Sequence, residues 1–387
     1  MKPLYQQLHA GSGPDGAAQF VYASHPSRVI FGAGTIGRLP EEVKRLGLSR
    51  VLVVSTPGQQ HGAQKVAAAM PGRIGFIFSG ATMHTPVDVT EQAMEIVRAE
   101  RIDGLVAVGG GSTTGLAKAI AYRTDLPQII GPTTYAGSEM TPILGETENG
   151  IKVTVSDPKI LPEVVIYDVD LTMTLSVAIS VSSGMNAIAH AVEALYSKDR
   201  NPIISMFAEY AIAALARSLP AIFNNPSDVS ARTEALYGAW LCGICLGSVG
   251  MALHHKLCHA LGGAFNLPHA EMHTAVLPHV VAYNETAAPE AMQAIARALG
   301  TDPVDGLFEL AQGLNATMAL RDFGMPEQEI DPIAELALKN AYPNPRALER
   351  DAIRELLAAA WAGKRPERAS KRKDDGSGAN SGNSRGS

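Results

Sequence analysis

Cysteine is scarce in this chain, with only Cys242, Cys245 and Cys258 in 387 residues. A set so small and odd in number excludes a disulfide-stapled framework. Cys242-x-x-Cys245 would suit a redox or zinc pair, yet no second CxxC exists and Trp240, Leu241, Ile244 and Leu246 surround it. Buried reduced thiols in a cytoplasmic protein account for them better. Long hydrophobic runs are also missing. No stretch approaches 18 uninterrupted apolar residues, so neither export nor membrane insertion is expected. Basic charge is short everywhere but the C-terminus. The chain has 32 Lys and Arg against 38 Asp and Glu, a net −6, whereas its last 25 residues hold seven of those bases and three of the acids. The remainder is acidic, which argues against nucleic acid as the main partner.

What is present describes a sizeable globular interior: 46% hydrophobic and 18% charged residues. The length is more than one core normally needs and fits two domains. Residues 1–170 read as an α/β unit. Arg28 to Phe31, Arg50 to Ser55, Arg73 to Phe78, Gly104 to Val108 and Gln128 to Gly131 are short apolar or β-branched runs. Helical spacing separates them at Leu39 to Leu46, Val87 to Arg101 and Thr113 to Arg123. That alternation predicts a Rossmann-like parallel sheet. Residues 171–362 read as all-helical. Helical spacing covers Ser176 to Ser197, Pro202 to Phe223, Ser230 to Leu246, Gly250 to Leu261, Ala288 to Leu299, Val304 to Leu320, Ile330 to Asn340 and Leu348 to Trp361, with prolines at many borders. Residues 363–387 are Gly/Ser-rich without periodicity and are expected to be a disordered basic tail.

Two loops carry a possible ligand site. Gly109-Gly110-Gly111-Ser112 joins a buried strand to a helix, where glycines let a backbone approach a pyrophosphate and the helix offers unpaired N–H groups. This is not GxGxxG, and a tight turn without a ligand has the same composition. Pro132-Thr133-Thr134, ending the next strand, adds hydroxyls on the same rim, and together the loops favour a nucleotide. Ser55-Thr56, ending the second strand, would face the adenosine ribose. No acid stands there to repel a 2′-phosphate, so NADP should be tolerated as well as NAD.

Histidine is concentrated in one place. Six of the chain's 11 lie in the 31 residues from Val249 to His279: His254, His255, His259, His269, His273 and His279. His255 and His259 share a helix face, Gly262 and Gly263 are expected to end that helix, and His269 and His273 repeat the i, i+4 spacing. Metal ligation, proton transfer and anion binding all remain open for such a cluster.

GGGSTTGLAKA at 109–119, PTTYAGSEMT at 132–141, and GMNAIAHAVEALYS at 184–197 followed by HHKLCHALGGAFNLPHAEMHTAVLPH resemble the iron-containing (group III) alcohol dehydrogenases, in order over roughly residues 25 to 360. The resemblance implies an α/β domain for NAD(P), a helical domain for a divalent metal, and an active site in the cleft between them. The metal-ligand positions it implies are Asn186, His190, His255 and His269. Here the first ligand is an amide where the family has aspartate, Gly115 stands where aspartate is common, and PTTYAGSEMT is one residue short. Those departures resemble the maleylacetate reductase branch, whose members are not known for needing a metal.

That branch implies reduction of the dicarboxylate maleylacetate to 3-oxoadipate by NADH or NADPH, in the cytoplasm, by a homodimer without nucleic-acid or membrane partners. Hydride delivered β to a ketone leaves an enolate that hydrogen-bond donors can stabilise, and asparagine spares a dianion the repulsion of a buried acid. The catalytic residues implied are His190, His255, His259 as proton donor, His269, Lys152 and Tyr135. Those for cofactor are Ser55, Thr56, Gly109, Gly110, Gly111, Ser112, Thr133, Thr134, Ser138, Thr141 and Lys152. Arg346 is a further candidate for a carboxylate, His254 and His273 are weaker ones, and His279 is expected to cap or pack. The alternatives are a metal-dependent short-chain alcohol dehydrogenase or aldehyde reductase, a lyase resembling dehydroquinate synthase, and a non-catalytic nucleotide-binding protein.

Overall fold

The structure is a computed structural model that describes residues 20–25, 27–148, 151–265, 267–339 and 342–368, with Ile151 and Lys152 described by backbone alone. Its strands are β1 Arg28–Phe31, β2 Val51–Val54, β3 Ile74–Phe78, β4 Gly104–Gly109, β5 Gln128–Pro132, β6 Ile143–Glu148, β7 Ile151–Ser156 and β8 Val164–Tyr167. Six of them form a parallel sheet in the order β1-β8-β5-β4-β2-β3. Between the strands run α1 Leu39–Arg45, α2 Gln60–Ala68, α3 Val87–Ala99 and α4 Gly111–Thr124.

Side chains alternate across the sheet as the pleat requires. Val51, Val53, Val106 and Ile129 face α1 and α2. Leu52, Val54, Leu105 and Ile130 face α3 and α4. All four residues of β2 are 0% exposed, and each such burial is worth about 1.5–3 kcal/mol. Covered faces explain why these strands read as continuous apolar runs. The chain passes from β2 outward to β3 and then back to β4 on the other side of β2. The carboxyl ends of β2 and β4 therefore flank a topological switch point, where such sheets open a crevice.

Five elements go beyond what the sequence predicts: α2, the two strands of the antiparallel hairpin β6–β7, β8, and the helix His269–Asn284. QHGAQKVAA buries only Ala63 and Ala67, so its apolar stripe is faint. VVIY lies in the middle of the sheet, between β1 and β5, but is only four residues long. Directly after it, the Asp168 carboxylate accepts from the backbone N–H of Gly34, Ile36 and Asp170 at 2.9, 2.8 and 2.9 Å.

From there the chain is helical: α5 Val177–Tyr196, α6 Pro202–Asn224, α7 Val229–Ser248, α8 Leu253–Phe265, α9 His269–Asn284, α10 Pro289–Leu299, α11 Pro303–Gly313, α12 Ile330–Leu338 and α13 Arg350–Ala362. Ser176, Asn201, Asp228 and Asp302 each cap a helix by accepting from backbone N–H groups. The central helix is α5, buried along nearly its whole length. By length and composition α6 could cross a membrane. Here Ile204, Ala208, Ile212, Leu215 and Leu219 bury one face in the bundle, while Glu209 and Arg217 pair with Arg297 and Glu234 on the other.

Three boundaries differ from expectation. Gly262 and Gly263 lie inside α8 instead of ending it; neither has positive φ. A full helix, α9, carries His269 and His273. The helix from Pro303 stops at Gly313, short of Leu320, with Asn315 left-handed just beyond it. Residues 363–368, expected to be tail, lie against α11: Arg365 pairs with Asp305 and Glu309, and Arg368 with Glu285 and Asp305. The rest of the expected tail lies outside the described residues.

Candidate active site

The crevice at the switch point is lined by backbone. Gly110 precedes α4, no side chain caps that helix, and the carbonyl of Gly110 accepts from the N–H of Thr113 and Thr114. Thr134 crowds Gly110 so closely that a Cβ there would sit 3.0 Å from its methyl group. Gln59 bridges the three loops, accepting from Thr56 Oγ1 at 3.2 Å and donating to Thr133 Oγ1 at 3.3 Å. Thr56, Gly110, Gly111, Ser112, Thr133 and Thr134 are all at least partly exposed here. They form one rim.

The loop after β5 carries that rim to the helical half. Gly137 has φ 80°, and a Cβ on it would lie 3.1 Å from Gly243 Cα in α7 and 3.5 Å from His190 Cδ2. Backbone thus meets backbone, which brings the Ala136 carbonyl within 3.2 Å of His190 Nε2. Gly137→Ala should destabilise the protein by about 1–3 kcal/mol through the left-handed backbone and the contact with Gly243. Urea unfolding measures it, and a loss below half a kcal/mol would contradict this packing.

Histidines meet below the loop in layers of decreasing exposure. His259 is exposed and His269 half-buried; His255 and His190 are 5% and 3% exposed; His254 and His273 are 0% exposed. His269 and His273 rings lie 4.3 Å apart, and His255 lies 5.2 Å from His273 and 6.3 Å from His259. Burial pushes His190, His254 and His273 well below the usual histidine range, and neighbouring imidazoles add to it.

One hydrogen-bonded chain orders these rings. Glu193 Oε2 is 2.7 Å from His255 Nδ1, and His255 Nε2 is 2.8 Å from His190 Nδ1. The Ala136 carbonyl can only accept, so His190 Nε2 carries a proton and His190 Nδ1 accepts. His255 Nε2 then donates to His190 Nδ1, and its Nδ1 faces the Glu193 carboxylate. Glu193 is 0% exposed and also accepts from the N–H of Ala252 and His254 at 2.8 and 2.7 Å. It stands on the same stripe of α5 as Asn186 and His190, at i, i+4 and i+7. That periodicity was visible in the sequence, yet Glu193 is absent from the candidates read there.

Other expected residues are placed differently. Tyr135 is 0% exposed and its hydroxyl accepts from Arg232 at 3.4 Å, so it faces a buried guanidinium and not the cleft. Ser55 is also fully buried, with its hydroxyl on Ser79 at 2.9 Å. Gly109 is buried as the last residue of β4. Ser138 and Thr141 hold the Lys118 ammonium, at 2.6 Å from the Ser138 carbonyl and 3.0 Å from Thr141 Oγ1. Burial pulls Lys118 down to about 7, against the opposing pull of Glu139. These residues shape the cofactor loop from beneath. Lys152 belongs to β7, but its side chain lies outside the described residues. Arg346 stacks on Tyr283 at 4.2 Å and lines a separate cavity with His279, whose buried ring is pushed down to about 4. Cys242 and Cys245 are buried thiols, raised by burial.

Comparison with known families matches both halves of the molecule. Residues 26–169 fit the iron-containing alcohol dehydrogenase model, and residues 180–361 fit the C-terminal model of the Fe-containing alcohol dehydrogenase family. The chain belongs to the iron-containing alcohol dehydrogenase family. Within it, the chain is 53% identical over 348 residues to maleylacetate reductase of Rhizobium sp. strain MTP-10005, spanning 90% of this chain and 99% of the relative. Maleylacetate reductase of Agrobacterium tumefaciens is 54% identical, with a TM-score of 0.87 over 90% of this chain and 100% of that one. A 1,3-propanediol oxidoreductase is 28% identical, with a TM-score of 0.82 over 89% of this chain and 100% of that one. The maleylacetate reductase branch is therefore where this member of the family lies.

At the positions of the family's usual divalent metal stand an amide and three imidazoles, Asn186, His190, His255 and His269. His190 Nδ1 lies 2.8 Å from His255 Nε2, and the Asn186 amide nitrogen lies 3.5 Å from His190 Nε2. No carboxylate completes the set, and the one beside it, Glu193, is spent on His255. The Asn186 oxygen is buried without a partner.

Proposed function

We propose that the protein reduces the C=C bond of maleylacetate to give 3-oxoadipate, using NADH or NADPH. The observation that carries this reading is the uncharged Asn186 amide beside His190, in front of the His255–Glu193 pair, at the position where the family has an aspartate. A dicarboxylate meets at that position a hydrogen-bonding surface and no fixed negative charge.

The nicotinamide cofactor supplies a hydride. Gly110, Gly111 and Ser112 at the start of α4 would hold its pyrophosphate, and Thr56, Thr133 and Thr134 would offer hydroxyls around it. Hydride goes to the alkene carbon β to the ketone, and the π electrons move to form an enolate. The His190 Nε2–H, which rests on the Ala136 carbonyl, turns its hydrogen bond to the enolate oxygen without giving up the proton, and His255, donating to His190 Nδ1 from its place on Glu193, strengthens that bond. His259, on the exposed side, delivers a proton to the carbon α to the ketone. His269 and the Asn186 amide orient the carboxylates. One hydride and one proton are consumed, and the ketone is restored. On this reading the enzyme works in the cytoplasm as a homodimer.

The donor set at the family's metal positions does not fit a divalent ion, and every step above proceeds without one. Protein dialysed against EDTA should oxidise NADPH with maleylacetate at an unchanged rate. Added Fe²⁺ or Zn²⁺ should not raise it. Activity that vanishes on chelation and returns with either ion would select instead a metal-dependent alcohol dehydrogenase or aldehyde reductase.

A further inference from the structure

Behind these histidines lies a polar group that the hydride and proton transfers do not use. His254 and Cys258 stand at i, i+4 on one face of α8, and His273 meets them from α9; they are 0%, 1% and 0% exposed. His254 Nε2 lies 3.0 Å from His273 Nδ1 and 3.8 Å from Cys258 Sγ, and the three donor atoms fall within 4.8 Å of one another. Leu253, Leu257, Leu261, Met272 and Val276 belong to the same buried cluster as Cys258. We propose that His254, Cys258 and His273 bind a zinc ion.

Two imidazole nitrogens and a thiolate are a zinc set, whereas ions that favour oxygen find no ligand in it. Zinc bonds of about 2.0–2.1 Å to nitrogen and 2.3 Å to sulfur place tetrahedral donors roughly 3.3–3.6 Å apart. His254 Nε2 is within a few tenths of an ångström of that spacing from both His273 Nδ1 and Cys258 Sγ. As a bare pair, His254 Nε2 and His273 Nδ1 share one hydrogen bond, and these are the two nitrogens that zinc would draw on. A zinc ion takes the lone pairs of both rings at once and gives the thiolate a counter-charge inside an apolar cluster. Three protein donors leave one further position on the ion, as in catalytic zinc sites.

This site shares no residue with the family's metal positions, Asn186, His190, His255 and His269. It ties α8 to α9, the helices that carry His255 and His269, and so fixes their spacing. A fully buried ion enters as the chain folds and does not leave during dialysis against EDTA, so the chelation test above is blind to it. The proposal is independent of the substrate assigned to the cleft.

Cobalt is the probe, since a thiolate on Co²⁺ gives an intense charge-transfer absorption in the near ultraviolet that histidine ligands do not. The full chain produced in zinc-supplemented medium should hold one zinc per chain by atomic emission. Produced with cobalt, it should show the thiolate band. Cys258→Ser should remove the band, whereas Cys242→Ser and Cys245→Ser should keep it. If Cys258→Ser does not fold, His273→Gln serves as the second variant, and its cobalt content should fall at least tenfold. A wild-type chain without stoichiometric metal, or a band that survives Cys258→Ser, would overturn the site. So would a His273→Gln chain that retains its cobalt.

Discussion

Replacing Glu193 by glutamine should lower kcat for maleylacetate about 100- to 1,000-fold, with little change in affinity for NADPH. Glutamine keeps the size of the side chain and can still accept from His255 Nδ1 through its oxygen, but it removes the charge. With no carboxylate to face, His255 donates only from Nδ1, its Nε2 turns acceptor, and His190 must donate from Nδ1 to satisfy it. The Nε2 of His190 is left bare, facing the Ala136 carbonyl at 3.2 Å. The donor intended for the enolate has become an acceptor. Removing the charge behind a histidine in a serine-protease triad acts in the same way, by enforcing the wrong tautomer. The substitution also breaks a buried ion pair, which costs about 3–5 kcal/mol when one partner is lost. Circular dichroism and NADPH titration therefore accompany the kinetics and establish that the variant is folded. If kcat stays within about threefold of wild type in a folded variant, the hydrogen-bonded chain from Glu193 through His255 to His190 is wrong.

Glu193 also marks the limit of what the sequence discloses. The strands β1 to β5 were legible because both faces of the sheet are covered, so each strand is a run of apolar residues. The sequence pattern is weaker for β8, which is just as buried but four residues long, and for α2, which buries two alanines. Both need the rest of the sheet around them before their burial makes sense. In the histidine-rich stretch, residue type drew attention to imidazoles, and the spacing of His255 and His259 identified a helix face correctly. Gly262 and Gly263 have the composition of a helix stop, but α8 closes its turns through them. What spacing cannot supply is the direction in which each ring points. Tyr135 lies between the nucleotide rim and the histidines in the chain, yet its hydroxyl meets Arg232, 97 residues on. Ser138 and Thr141 read as cofactor hydroxyls, yet they hold the ammonium of Lys118. In each case a buried charge distant in sequence claims the polar group, and that contact exists only in three dimensions.

Asn186→Asp should lower kcat/KM for maleylacetate by about 10- to 100-fold, and far less for a neutral enone of similar length. Asn186 is 3% exposed and its amide nitrogen lies 3.5 Å from His190 Nε2. A carboxylate there competes for the His190 proton that the enolate requires. It also places a fixed negative charge against a substrate that carries two. At an effective dielectric of about 20, like charges about 4 Å apart repel by roughly 4 kcal/mol, more than the loss expected here, because the hydrogen-bond donors of the histidine cluster offset part of it. The neutral enone feels the lost hydrogen bond but not the repulsion, so the ratio of the two substrates separates the causes. An equal loss on both would leave the proton competition standing and remove the electrostatic role given to the amide. The same substitution supplies the carboxylate that the family's metal positions lack. Calorimetric titration of the variant with Zn²⁺ should show binding at least tenfold tighter than wild type, as a carboxylate replaces an amide among three imidazoles. Should the variant bind no more tightly, the missing acid is not what keeps a divalent ion from His190, His255 and His269, and the proton shared between His190 and His255 would have to exclude the ion by itself.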